Sequence, residues 1–312
     1  MKISLNSGSA SVHTGYGHAC MKILNNLGKT NHSVLLDRAA PVEFCFSHPN
    51  FYKFNDEAYK IGYTAWESTI IPDDWKKYLN QLDEMWVPNQ FCKDIFSKYT
   101  DKEIYIFPHG VDDVFSPVLR KSTDVTKFLH IGFPAYRKNT HDTINTFLKM
   151  YKGRTDVHLT IKGYLGYTLH IDEPNITYIE ENMPYEHYVN LLHEHDLLLY
   201  PSWGEGFGLI PLQALATGMP VIVTGGWCDY SKYCSELVID SQLVFSPWQD
   251  THPGKMFKPD LDHFEELINK FVNNKEWFFN LQFARAKMIH KEYNWEKVVT
   301  DHFDSVEARL MV

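Results

Sequence analysis

Short apolar runs alternate along this chain with longer stretches in which apolar residues recur every three to four positions. The first kind predicts buried strands and the second amphipathic helices. Strands are predicted at 2–5, 33–37, 60–66, 85–88 and 104–108, then at 128–132, 157–162, 176–179, 197–200, 220–224 and 243–245. Helices are predicted at 17–27, 72–82, 140–151, 185–195 and 211–217, with a last one at 295–310. Strands alternating with helices build parallel sheets covered on both faces, an α/β class. Two such sets predict two Rossmann-like, doubly wound domains, 1–118 and 119–292. The terminal helix in 293–312 is expected to pack back toward the first. Ligands of open parallel sheets bind beyond the carboxyl ends of the strands. Two facing domains therefore share a cleft, and the chemistry belongs in loops that follow strands.

The 312 residues suffice for two domains of about 150 each. Hydrophobic residues make up 44% and charged residues 22%, which excludes a disordered tail, a collagen and a coiled coil. The net charge of −9 argues against a protein held to polyanions by a basic field. Five cysteines without a C-x-x-C pair read as reduced thiols in a cytoplasmic protein. The start, MKISLNSGSA, has no apolar signal core, and no apolar run reaches the roughly 18–20 residues of a membrane span.

The densest chemical signal is PSWGEGFGLIPLQALATGMPVIVT, residues 201–224. It begins where the run LLLY ends. Glu205 stands between glycines, and Gly206, Phe207 and Gly208 lead into a helix opening near Leu209. Free N–H groups at a helix start bind anionic or hydroxyl-rich ligands, and glycines allow close backbone approach. A carboxylate there accepts hydrogen bonds from sugar hydroxyls. A plain strand-to-helix turn with a first-turn acid is the alternative. Near the N-terminus, Gly15 and Gly17 follow the first strand and open a helix, a weaker signal of the same kind.

The block resembles the Pro-Ser…Glu-Gly-Phe-Gly…Pro-x-x-Glu-Ala-x-x-x-Gly-x-Pro-Val-Ile signature of the retaining, GT-B-fold glycosyltransferases of glycosyltransferase family 4 (glycosyl transferases group 1). Pro201, Ser202, Glu205, Gly206, Phe207, Gly208, Pro211, Ala214, Gly218, Pro220, Val221 and Ile222 match in order. Pro108-His109-Gly110-Val111-Asp112, with Phe115 and Pro117, resembles the family's domain-junction element, with His109 in place of an Asn. Residues 63–75 and 86–89 resemble a subgroup of the family, so that the resemblance covers nearly the whole chain.

It implies a GT-B fold and a hexosyltransferase-like enzyme moving a sugar from a nucleotide-diphosphate-sugar, UDP- or GDP-linked, to a hydroxyl of a glycan or glycoconjugate precursor. The reaction is metal-independent and needs no cofactor beyond that co-substrate. Of the family's paired acids the first falls on Glu205 and the second on Gln213, a departure where the nucleotide ribose is held. The family's Arg after the first glycine of the second domain is replaced by Phe133. Lys138 takes the position of the family's Lys, Arg137 stands beside it, and Lys162 ends the next strand. Cations there would neutralise the leaving diphosphate. Glu67 is placed where the family sets a polar contact to the donor sugar, and His109 is a further candidate. The acceptor is expected near Gly15, Gly17 and Glu67.

A nucleotide-sugar epimerase shares the architecture but not the signature. A catalytically weakened sugar-nucleotide-binding protein is the reading that Gln213 and Phe133 keep open. Modified nucleic-acid bases are a further acceptor class, nucleic acid entering only in that role. No metal site is predicted. His193 and His195 end a helix without sharing a face, and Asp73-Asp74 read as first-turn acids.

Overall fold

In the computed structural model, which describes residues 1–7, 14–132 and 135–311, the apolar runs form two six-stranded parallel sheets. The chain begins β1 (Lys2–Asn6), α1 (Gly15–Leu27), β2 (Ser33–Leu36), β3 (Val42–Phe46), β4 (Tyr59–Tyr63), α2 (Lys76–Leu79), β5 (Glu84–Val87), α3 (Gln90–Phe96) and β6 (Glu103–Ile106). It continues β7 (Thr126–Ile131), α4 (Thr140–Tyr151), β8 (Val157–Lys162), β9 (Ile176–Ile179), α5 (Tyr185–Glu194), β10 (Leu197–Tyr200), α6 (Leu209–Ala216), β11 (Val221–Thr224) and β12 (Val238–Ile239). It ends β13 (Ser241–Phe245), β14 (Lys255–Pro259), α7 (Leu261–Asn273), α8 (Lys275–Glu292) and α9 (Trp295–Leu310).

Two compact units result. Unit 1 comprises Met1–Gly110, Phe245–Lys255 and Tyr293–Val312; unit 2 comprises Val111–Val244 and Met256–Glu292. The sheet of unit 1 runs β2-β1-β3-β4-β5-β6. Its core includes Phe44 packed against both Trp86 (5.2 Å) and Phe303 of α9 (5.3 Å), so the terminal helix is part of that core. Arg309 of α9 reaches the buried Glu84 with both carboxylate oxygens at 2.8 and 2.7 Å.

The sheet of unit 2 runs β12-β11-β10-β7-β8-β9. Its central strand β7 is apolar on both faces, with Phe128, Leu129 and Ile131 buried, as parallel strands covered by helices require. The buried imidazole of His130 on this strand bonds the Leu199 carbonyl at 2.9 Å and the Thr140 hydroxyl at 2.8 Å. Burial lowers its pKa to about 4, so the ring is neutral at neutral pH. Strands depart in opposite directions from the β7–β10 pair. That reversal is the switch point at which α/β sheets bind ligands.

Several elements differ from the sequence expectation. β3 was not anticipated, because Glu43 interrupts its apolar run. The Glu43 carboxylate is fully buried and accepts from Asn6 Nδ2, the Asn55 N–H and the Asn55 amide, which makes an acid tolerable in a central strand. The helix expected over 72–82 is a 3₁₀ turn, Asp73–Trp75, followed by one turn of α2. Residues 243–245 lie in β13, which pairs with β14 in a separate two-stranded ribbon. Its largely exposed residues lack the two-faced burial of the second sheet, whose sixth strand is β12. α3, α7 and α8 were also missed. Arg120, at the start of unit 2's polar lead-in to β7, is buried and donates to the carbonyls of Leu192, His195 and Thr217. The five cysteines are buried thiols, not paired in disulfides. Among the described residues no helix is long and apolar enough to cross a membrane.

Candidate active site

The loops after β7 and β10 leave adjacent strands at the switch point of unit 2. The first carries Arg137 and Lys138 and the second carries Glu205. Gly132 follows β7 with φ 152°, and a Cβ there would lie 2.8 Å from Lys138 Cβ and Cγ. Only glycine lets the lysine stem cross the strand end. The turn Tyr136–Lys138 closes with the Lys138 N–H on the Ala135 carbonyl at 2.9 Å, and Asn139 at φ 62° redirects the chain into α4. The second loop is bonded to the first, since the Trp203 N–H donates to the Arg137 carbonyl (2.8 Å) and Arg137 Nη1 to the Gly204 carbonyl (2.7 Å).

Four described side chains converge on Oε1 of Glu205. Arg137 Nη1 lies at 2.8 Å, Lys138 Nζ at 2.7 Å, the Ser202 hydroxyl at 2.8 Å and the Tyr200 hydroxyl at 3.1 Å. Lys138 also donates to the Tyr200 hydroxyl. The Glu205 side chain is 6% exposed. Burial alone would raise its pKa, but the Arg137 and Lys138 charges outweigh burial and hold it at about 2. The constellation is therefore one carboxylate between two cations, with a residual positive charge.

Gly208 precedes α6 with φ 83°, and a Cβ would stand 2.5 Å from Tyr230 Oη and 2.9 Å from Trp227. Tyr230 donates to the carbonyls of Phe207 and Gly208, and its ring meets Phe207 edge-on at 5.6 Å. Buried side chains thus fix the backbone of Gly206–Leu209. Gly208→Ala is expected to lower unfolding free energy by about 2–4 kcal/mol, combining the left-handed strain with the clash. Urea denaturation measures it, and a loss below about 0.5 kcal/mol would contradict the fit.

Gln213, on α6, is buried and accepts at Oε1 from the Tyr188 hydroxyl at 2.7 Å. Lys162 ends β8 with its ammonium on the carbonyls of Gly163 and Glu181, the latter at 2.9 Å, and 5.1 Å from the Tyr164 ring centroid. Burial lowers its pKa. The Tyr164 hydroxyl is pushed up, first by burial and then by Glu205, with Arg137 opposing, so it lies within the field of this site.

The remaining candidates belong to unit 1. Gly15 and Gly17 open α1, where Thr14 Oγ1 accepts from the Gly17 N–H at 3.0 Å. Glu67 Oε2 lies 3.7 Å from His252 Nε2. His109 is buried, bonded through Nε2 to the Tyr63 hydroxyl at 2.7 Å and stacked near Trp295. Burial lowers its pKa to about 3. Phe133 lies outside the described residues. The structure therefore brings together Arg137, Lys138 and Glu205, sets Lys162 and Gln213 in the same unit, and places Gly15, Gly17, Glu67 and His109 in the other.

Sequence reasoning missed Tyr200 and Tyr188 as hydroxyl partners, Tyr164 beside Lys162, and His252. Tyr200 was legible as the polar end of LLLY; His252 carried no local signal. His193 bonds the Ser116 carbonyl, and His195 bonds the Leu191 carbonyl and the Thr160 hydroxyl. Among the described residues, the one group of three ligand-type side chains within metal-binding reach is His32, Asp304 and Glu307, where the Met1 ammonium already lies 2.6 Å from Glu307.

Residues 126–244 match the family described as Glycosyl transferases group 1. Over 249 residues the chain is 25% identical to glycosyltransferase 45 of Sulfolobus islandicus filamentous virus, covering 70% of this chain and 67% of that one. It is 26% identical over 186 residues to O-antigen chain mannosyltransferase B of Escherichia coli, covering 55% of this chain but only 43% of the relative. Among solved structures, sucrose-phosphate synthase from Thermosynechococcus elongatus superposes with a TM-score of 0.72 at 12% identity, covering 100% of this chain and 99% of its own. At that identity the likeness concerns fold. The fold is that of the GT-B glycosyltransferases, and the match to the glycosyl transferases group 1 family lies at residues 126–244, in unit 2.

Proposed function

We propose that the protein is a retaining, metal-independent glycosyltransferase of family 4. It moves a sugar from a UDP- or GDP-linked donor to a hydroxyl of a glycan or glycoconjugate precursor in the cytoplasm. The observation that supports this most is the convergence of Arg137 and Lys138 on one oxygen of Glu205 at the unit 2 switch point. Two cations fixed before the donor arrives are positioned to stabilise the charge that develops on a departing diphosphate. N–H groups at the start of α6 add to them, and Lys162 supplies a further positive charge at the same sheet edge. Oε2 of Glu205 accepts from a hydroxyl of the donor sugar. The leaving phosphate takes the acceptor's proton on the face it departs from, which keeps the anomeric configuration. The acceptor lies against unit 1 near Gly15, Gly17 and Glu67.

Thermal-shift titration against UDP-glucose, UDP-N-acetylglucosamine, GDP-mannose and ADP-glucose, with assay of released nucleoside diphosphate, tests the reading. A donor at 100 times its Kd adds about 2.7 kcal/mol of stability. A panel in which none stabilises the protein and none is turned over would overturn it. Stabilisation without release would instead select the sugar-nucleotide-binding alternative, which the amide at Gln213 favours.

Gln213 is assigned to the ribose. Its Oε1 is engaged by Tyr188, so the amide offers the ribose its N–H₂ group. Gln213→Glu keeps an acceptor for Tyr188 and adds a second, so donor affinity is expected to hold or rise. Gln213→Ala loses the contact and leaves Tyr188 unpaired, which weakens binding by about three- to tenfold. Equal affinities for all three proteins would place the ribose elsewhere.

A further inference from the structure

We propose that His252 is the positioning residue for Glu67, and that the segment Phe245–Lys255 exists to deliver it there. The proposal rests on the reading above that Glu67 receives the acceptor. It extends that reading by adding a residue that neither the family signature nor the sequence pattern marks.

The segment departs along β13, returns along β14, and between them belongs to unit 1. It is ordered by its own bonds. The Gln249 amide bridges the loop, with Nε2 donating to the carbonyls of Ser246 (2.7 Å) and Gly254 (2.8 Å) and Oε1 accepting from the Gly254 N–H (3.1 Å). The loop is then fastened to the residues that follow β4. Ser68 Oγ donates to the Pro253 carbonyl (2.8 Å), the Thr69 N–H to the Lys255 carbonyl (3.0 Å), and the Lys255 N–H to Thr69 Oγ1 (2.8 Å). Gly254, at φ 87°, permits this approach, because a Cβ would stand 2.7 Å from Thr69 Oγ1 and 2.8 Å from Ile70 Cγ1.

The fastening fixes the imidazole on two sides. The ring stacks on the buried Trp66 at 5.4 Å and 18°, and Nδ1 lies 3.1 Å from Thr251 Oγ1. The other nitrogen, Nε2, then faces Glu67 Oε2 at 3.7 Å. Trp66 is itself held by its indole N–H on the Ile70 carbonyl at 2.8 Å and by Trp75 at 4.7 Å. Among the described residues, Tyr16 and His48 also sense Glu67. Glu67 and His252 are each 19% exposed, so both side chains of the pair reach the surface. A carboxylate held in one orientation accepts from a pair of neighbouring hydroxyls, and the aromatic surroundings suit the apolar face of a sugar ring. The acceptor class assigned is therefore a pyranoside hydroxyl. Glu67 touches it; His252 acts only through Glu67.

The experiment uses the full chain, the donor that the panel selects, and methyl α-D-glucopyranoside, methyl α-D-mannopyranoside and methyl N-acetyl-α-D-glucosaminide as acceptor probes. His252→Ala is expected to raise KM for the accepted glycoside about tenfold, with kcat within about twofold and donor Kd unchanged. His252→Gln, which keeps an N–H donor beside Glu67, restores most of the loss. Glu67→Gln raises KM similarly, and the double variant Glu67→Gln/His252→Ala is no worse than the worse single variant, as expected for a coupled pair. Unchanged KM in His252→Ala, fully additive effects, or no rescue by Gln would overturn the assignment. So would a wild type that releases nucleoside diphosphate but transfers to none of the glycosides. A wild type that releases none overturns the functional reading itself.

Discussion

Lys138→Ala is expected to lower kcat about 10²- to 10³-fold while leaving a folded protein. The removed ammonium is one of two cations aimed at the diphosphate, and loss of one preorganised charge-stabilising group typically removes about 3–4 kcal/mol of transition-state stabilisation. Folding survives because Glu205 keeps Arg137 at 2.8 Å and the hydroxyls of Ser202 and Tyr200. The carboxylate is not stranded, so the cost stays below the roughly 3–5 kcal/mol of breaking an isolated buried pair. Removing Arg137 as well would strand it, and the double variant should show the full stability loss. Lys162→Ala should slow turnover less. Its ammonium is engaged by two backbone carbonyls, whereas that of Lys138 joins the Glu205 cluster. Single-turnover rates at saturating donor, with urea denaturation of each variant, measure both quantities. A Lys138→Ala enzyme within about threefold of wild type would mean that the diphosphate is bound away from this loop.

Much of this site could be read from the chain because its parts are local. Gly132, Lys138 and Glu205 each follow a strand within a few residues, and strands of continuous apolar character announce themselves. What the sequence hid was pairing. Nothing in the separate segments 132–139 and 201–208 says that Arg137 and Lys138 meet the same oxygen of Glu205; that follows from β7 and β10 being neighbours in the sheet. β3 was hidden by Glu43, whose compensation by Asn6 and Asn55 is a tertiary fact. The 3.6-residue spacing of Phe264, Leu267, Ile268 and Phe271 makes α7 legible in the chain. His252 is the opposite case. Its partner Glu67 lies far away in the chain, and only the loop fastening at Ser68 and Thr69 brings them together.

The electrostatics of Glu205 lead to a second large effect, in stability against pH. Its pKa falls from the ordinary 4.5 to about 2 in the folded protein, because Arg137 and Lys138 outweigh its burial. A depressed folded pKa means that the unfolded chain takes up its proton first. The stabilisation is therefore complete above about pH 4.5 and is lost as pH falls toward 2. A shift of this size corresponds to about 3 kcal/mol, of which about 2 kcal/mol is gone by pH 3. Glu205→Gln does not titrate, and it leaves every other acid of the protein in place. The difference in unfolding free energy between wild type and Glu205→Gln should be widest at pH 5–7 and narrow by about 2 kcal/mol at pH 3. Urea denaturation at pH 7, 5, 4 and 3 reads it directly. A gap that stays constant from pH 7 to pH 3 would mean that the cations do not face this carboxylate. A gap that closes as expected shows Glu205 ionised at neutral pH, so that both cations are held in place before the donor diphosphate arrives and need not be reorganised during the reaction.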